Sequence, residues 1–382
     1  MALYEIAVFG SPSTEQLTQL TRRLEKAAEA FGLEIGREIS FEVKPERFSP
    51  RQRTAAAAIF FGGDKSASVD VAAALDHKLI PVLPVPSSER AFTHEIPKPL
   101  QGLNCLFYDR DGPDRVFATL LGCLGLMPQQ RRVFLSYKRS ESTAAALQLF
   151  DELSARNYSV FLDTHSIHAG VDFQESLWHQ LADADVLIML ETASYFQSRW
   201  ADAEYGRALA KGIGVLRVQW PNVAPTGTAD TASLLELTGE DLETDGSLVA
   251  TALGKLCTQL EQVRCVSHAT RHLSVITAVE DAITLIKGTV DGIGAHRSMH
   301  VTLRSGLPLV VQPTIGIPTA VTLQEISRRA GKISSAVIYD HLGLKKSWQE
   351  HLDWLAENFK TARWVKQTEA AYVFAGWEAE DV

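Results

Sequence analysis

Short apolar runs alternate with amphipathic stretches along most of this chain. Residues 4–10 form one such run, ending at a glycine and followed by Ser-Pro-Ser-Thr-Glu. Leu17, Leu20, Leu24 and Ala27 then fall three or four apart, which predicts a helix with one buried stripe to about residue 31. Residues 55–61 read as a second strand ending in Gly62-Gly63, with a short helix over 69–75, a strand over 79–85 and a Pro-rich loop. A fourth strand is expected over 103–108, closed by a helix over 115–126. Strands alternating with helices predict a parallel sheet covered on both faces. Residues 1–128 therefore read as a Rossmann-like α/β domain.

The alternation restarts at Arg132. Strands are expected over 133–136, 159–162, 186–191 and 214–218, and helices over 142–156, 173–181, 200–211 and 247–264. Residues 222–246, rich in Thr, Gly, Asp and Glu, read as a surface insertion. This second domain spans 131–265. Beyond it the pattern changes: a long amphipathic helix (273–287), strands at 299–303 and 307–312, and a helix over 321–330. A strand at 336–339, a helix over 347–359 and strands near 362–366 and 371–374 complete a C-terminal α/β or α+β domain, 266–382. Trp348, His351, Trp354 and Trp364 read there as an aromatic core or a ligand pocket, with core packing the safer assignment.

Composition narrows the function classes. With 46% apolar and 22% charged residues among 382, the chain is globular and long enough for two or three cores. A net charge of −9 argues against nucleic acid or anionic membrane as partner. No apolar run is long enough to span a bilayer, and the first residues lack the cationic start of a leader. The four cysteines are widely spaced and form no CxxC pair, which predicts free thiols in a reducing cytoplasm and no metal framework.

Three stretches carry the chemistry: Val133-Phe134-Leu135-Ser136-Tyr137-Lys138-Arg139-Ser140, Phe161-Leu162-Asp163, and Ser198-Arg199-Trp200-Ala201-Asp202-Ala203-Glu204. Their order is a buried strand ending in a polar, cationic loop, a strand ending in an acid, and a tryptophan four residues before a carboxylate. Together they resemble a TIR domain of the NAD-cleaving kind found in bacterial immune effectors. The resemblance implies a central flavodoxin-like parallel sheet, with Glu204 as the catalytic carboxylate beside the nicotinamide ribose and Trp200 on the same helix face. It implies that Ser136, Tyr137, Lys138 and Arg139 lie over the nucleotide. Asp163, Gly170 and Phe173 would mark a loop that enters a neighbouring subunit and gates the site. His165 and His168 are read as loop or interface residues.

The implied activity is NAD glycohydrolysis, with cyclisation or base exchange as variants, in antiviral or stress signalling. NAD is then the substrate, and no cofactor or metal is required. The implied partners are copies of the same chain in an oligomer or filament, with an activating ligand or protein at the flanking domains. The alternative is a non-catalytic TIR scaffold acting through TIR–TIR assembly. Residues 57–85 also echo 186–218 in their strand–helix–strand order, with Val71 opposite Glu204. The N-terminal domain reads either as a degenerate TIR-like fold lacking the acid or as ordinary α/β topology.

Overall fold

A computed structural model describes residues 2–51, 53–63, 79–162, 173–197, 199–223, 232–358 and 362–380. They fall into two compact units. A terminal unit comprises Met1–Met127, His272–His341 and Ser347–Val382; a middle unit comprises Pro128–Arg271 and Leu342–Lys346.

The terminal unit begins with β1 (Tyr4–Gly10), α1 (Thr14–Phe31), β2 (Ile39–Val43), β3 (Ala55–Phe61), β4 (Val82–Val85) and α2 (Tyr108–Leu124). The strands form a parallel sheet in the order β2-β1-β3-β4. Ser13 starts α1 with a capping box: its hydroxyl accepts from the Gln16 N–H at 3.1 Å, and the Gln16 side chain accepts from the Ser13 N–H at 2.8 Å. Gly32, at φ 68°, ends that helix in the left-handed conformation.

Residues 103–108 are not the expected strand. The Leu106 N–H donates to Pro84 O and the Tyr108 N–H to Pro86 O, at 3.1 and 2.9 Å. Neither proline has an N–H to return, so the ladder cannot close and Tyr108 opens α2 instead.

The middle unit runs β5 (Arg132–Ser136), α3 (Arg139–Ala155), β6 (Ser159–Leu162), α4 (Phe173–Asp183), β7 (Val186–Glu191), α5 (Arg199–Ala210), β8 (Gly214–Gln219) and β9 (Ser233–Glu236), and closes with the part of α6 (Ala250–Leu285) up to Arg271. Its sheet is wholly parallel in the order β6-β5-β7-β8-β9. All six residues of β7 are buried, as a strand covered on both faces requires. Alternation sorts the side chains: Val133, Leu135 and Ile188 pack with Leu149, Leu256 and Leu260, while Phe134, Leu187 and Met189 pack with Leu177, Leu181 and Tyr205.

Strand β9 lies inside the segment expected as an insertion, and its half-exposed edge position explains the weak apolar signal. The expected break between helices near 265–272 is absent, because α6 is continuous. Ser267, His268, Arg271 and His272 are all buried there, so polar residues stand where an apolar stripe would mark the helix. Two of them have backbone partners: Arg271 donates to Ala184 O at 2.9 Å and Ser267 Oγ accepts from the Gly214 N–H at 2.8 Å.

The terminal unit resumes with β10 (Thr289–Ile293), β11 (Met299–Thr302), β12 (Pro308–Pro313), α7 (Ala320–Ala330), β13 (Ser334–Tyr339), α8 (Lys346–Asn358), β14 (Ala362–Lys366) and α9 (Ala370–Glu380). The sheet follows chain order, with β10, β11 and β12 antiparallel and β12, β13 and β14 parallel. Residues 371–374 are helical rather than extended. Ala370, Phe374 and Trp377 bury together at helical spacing, which outweighs the β-preference of Tyr-Val-Phe. The aromatic group of α8 is not all core: Trp354 is 58% exposed, stacked on His351, whereas Trp348 donates to Pro318 O at 3.0 Å.

Candidate active site

Strand order places a crevice in the middle unit. The chain leaves β5 for β6 on one side and reaches β7 on the other, so the connections diverge between β5 and β7. The carboxyl ends of the strands at such a switch point are where open parallel sheets bind ligands. Three polar side chains converge there: Ser136 as the last residue of β5, Tyr195 in the turn after β7, and Glu204 on α5.

Their contacts form a chain. The Tyr195 hydroxyl donates to Ser136 Oγ at 2.7 Å, and Ser136 Oγ donates to Glu204 Oε2 at 2.6 Å. All three are buried; Glu204 is only 5% exposed. A glutamate on a surface helix is ordinarily solvated, so its burial needs a partner, and the serine hydroxyl supplies one. Hydrogen bonds to an ionised acceptor are short and about twice as strong as neutral ones, in keeping with 2.6 Å.

A second cluster braces the rim. The Lys138 ammonium donates to Ser194 O at 3.2 Å and to the Ser194 hydroxyl, and pairs with Glu141 Oε1 at 3.2 Å. The Ser194 hydroxyl also donates to Glu141. Hydrogen bonding from Ser194, the largest cause, holds the Glu141 carboxyl down at about 2. Below this rim, Arg217 of β8 pairs with Glu191 of β7, with Nη2 at 2.7 Å from Oε2 and both side chains almost wholly buried. The Phe196 ring stands edge-on to Tyr195 at 5.1 Å, and the Arg217 guanidinium lies 6.0 Å from the Phe196 centroid.

The sequence-derived site residues divide accordingly. Ser136 and Glu204 are brought together. Lys138 lies at the same rim, engaged by Glu141 and Ser194. Tyr137 is half-buried and packs against the core. Arg139 is exposed at the first position of α3. Trp200 is the second residue of α5, one helical turn before Glu204, and Phe173 opens α4. Asp163, Gly170, His165 and His168 lie outside the described residues.

Tyr195, Ser194, Glu141, Glu191 and Arg217 were not singled out by pattern. One signal was available: Glu191 and Arg217 are opposite charges near the ends of two buried runs, and such charges persist in cores as pairs. Nothing local marks Tyr195. Among the described residues no group of three or more His, Cys, Asp or Glu side chains is arranged to hold a metal ion, and no helix is long and apolar enough to cross a membrane.

Residues 133–245 match the family model of the TIR domain, so the chain carries a TIR domain in its middle. No curated protein matches the chain.

Proposed function

We propose that the TIR domain cleaves the bond between nicotinamide and ribose in NAD, with Glu204 as the catalytic carboxylate. The observation that carries this reading is the buried Glu204 carboxylate, held by Ser136 at 2.6 Å beside the switch-point crevice of a parallel sheet. A scaffold helix has no need to bury an acid at that edge, since desolvating a carboxylate is costly.

The chemistry fits one carboxylate. As the N-glycosidic bond breaks, its electron pair passes to the pyridine nitrogen and nicotinamide leaves neutral, without a general acid. Positive charge develops on the ribose, and a fixed carboxylate beside it stabilises that charge. Water then adds to the anomeric carbon and releases a proton, giving ADP-ribose. Attack by a group of the same nucleotide would give a cyclic product.

Trp200, Tyr137 and Arg139 are proposed to line the nucleotide side. The gating role of Asp163, Gly170 and Phe173, and activation by assembly of copies through TIR–TIR contacts in the cytoplasm, are part of the same proposal. They rest on the likeness to NAD-cleaving TIR effectors in bacterial defence. The terminal unit would sense the activating ligand or protein.

Incubation of the full chain with NAD at rising protein concentration, with chromatography of nicotinamide, tests the reading. Release that grows faster than linearly with protein and disappears in Glu204→Ala supports it. No release at any concentration, or release that survives the substitution, overturns it in favour of a non-catalytic TIR scaffold.

A further inference from the structure

Hydrogen-bond direction at Glu204 follows from counting protons. An ionised carboxylate only accepts, a serine hydroxyl has one proton to give, and a phenol has one. Tyr195 gives its proton to Ser136 at 2.7 Å, and Ser136 gives its own to Glu204 Oε2 at 2.6 Å. The serine proton is thereby committed to the carboxylate. The likeness to a TIR domain implies that Ser136 lies over the nucleotide; the geometry gives it a different task.

We propose that Ser136 and Tyr195 are positioning residues, a directed hydrogen-bond relay that fixes the Glu204 carboxylate in one orientation as an ion, and that Lys138 is the clasp that holds the relay in register. This rests on the catalytic reading of Glu204 given above.

The clasp is built from neighbours of the relay on both segments. Ser194 immediately precedes Tyr195, and Lys138 follows Ser136 by two residues. The Lys138 ammonium reaches Ser194 O at 3.2 Å, and Glu141 joins it from α3, with Oε2 accepting the Ser194 N–H at 3.3 Å. These bonds tie the turn that carries Tyr195 to the strand end that carries Ser136. Hydrogen bonding is steep in distance and angle, so such a tie sets whether the relay forms at all. A carboxylate fixed before the substrate arrives spends no reorganisation as charge develops on the sugar. Arg139, exposed one residue beyond Lys138, carries a planar guanidinium that suits bidentate contacts to the pyrophosphate.

A relay and a merely well-packed serine predict different data. In the full chain, Ser136→Ala is expected to lower kcat about 10- to 100-fold with KM within about twofold, the scale of a lost hydrogen bond to a charged group. Tyr195→Phe, which keeps the ring packing, is expected to lower kcat by less, about 3- to 10-fold, in the same direction. Losing a donor to the charged form favours protonation, so the acidic limb of the kcat profile moves to higher pH in both variants. Lys138→Met is expected to weaken both effects of the relay together, so that adding Tyr195→Phe to it costs little more.

A second readout does not require turnover. With carboxyl-labelled glutamate, the Glu204 carbon signal, assigned by its loss in Glu204→Gln, is expected to titrate at higher pH in Ser136→Ala than in the wild type. An unchanged acidic limb and an unchanged titration in a folded Ser136→Ala protein overturn the relay, even if Glu204→Ala abolishes cleavage. If instead the wild type cleaves no NAD, the catalytic reading falls while the carboxyl titration still decides whether the relay exists.

Discussion

Two parallel sheets in this chain share a strand order and differ in what they put at their carboxyl edge. The terminal unit orders its first four strands β2-β1-β3-β4, and the TIR domain orders the corresponding strands β6-β5-β7-β8, adding β9. In the first sheet the edge is closed by backbone. Gly10 ends β1 at φ 79°, and a Cβ there would lie 1.9 Å from Phe61 O. The Gly62 Cβ position is likewise taken by the Glu95 side chain, whose carboxylate accepts from the Ser87 N–H and hydroxyl, each at 2.6 Å. In the second sheet the edge is occupied by side chains that pair: Ser136 with Glu204, and Glu191 with Arg217. Pro84, matched to Arg217 by the sequence echo, has neither charge nor N–H. Shared topology supplies a crevice twice, but among the described residues a glutamate as deeply buried as Glu204 stands at only the second edge.

The largest effect expected from breaking this difference is on stability. Arg217→Met strands the Glu191 carboxylate in the core and is expected to cost about 3–5 kcal/mol, read as a lower urea midpoint. Adding Glu191→Leu should restore most of that loss, because the penalty lies in the unpaired charge rather than in the missing bond. Next comes the proposed catalysis: if the TIR domain cleaves NAD, Glu204→Gln is expected to lower that cleavage by about 10²- to 10³-fold, measured as nicotinamide release. Ser13→Ala, at the equivalent edge of the first sheet, should instead destabilise α1 by about 1 kcal/mol and leave cleavage untouched.

The smallest effect is the response to acid. Burial, the largest cause in each case, lowers His296 to about 3 and His300 to about 4, and depresses His272 as well. These imidazoles are neutral when folded, whereas the unfolded chain takes up protons near pH 6.5. Their contribution is therefore complete above about pH 6.5 and is lost as pH falls, toward about 4 for His300 and about 3 for His296. In the TIR domain the lowered Glu141 carboxyl acts in a lower window, from the ordinary carboxylate range down to about 2. His179, at about 4, adds one imidazole of the first kind to that unit. Amide exchange compared at pH 7 and pH 5 should thus show protection falling more in the terminal unit. His300→Gln should narrow the gap, and equal losses in both units would refute the assignment.

Much of the fold was legible because burial on both faces leaves a simple trace. The runs Tyr4–Gly10, Ala55–Phe61 and Val186–Glu191 are apolar almost throughout, and no other element produces such a run at that length. Edge strands left no such trace: β2, β9 and β10 expose alternate or terminal residues and passed for loops. The continuity of α6 was hidden because its buried middle is polar. The site was half legible. Glu204 and Ser136 were named through the likeness to a TIR domain, and the fold brings these two side chains within hydrogen-bond distance. Tyr195 could not be named, since its role depends on a turn folding back over a strand end some sixty residues earlier in the chain.

What the sequence determined by itself was the alternation of strands and helices and the likeness of its middle third to a TIR domain. Those follow from local periodicity and residue type. Only tertiary structure decided that Glu204 is buried, that Ser136 spends its proton on it, and that Lys138 is engaged by Glu141 and Ser194. Burial and hydrogen-bond direction are properties of pairs distant in sequence, and no pattern within either segment specifies the other.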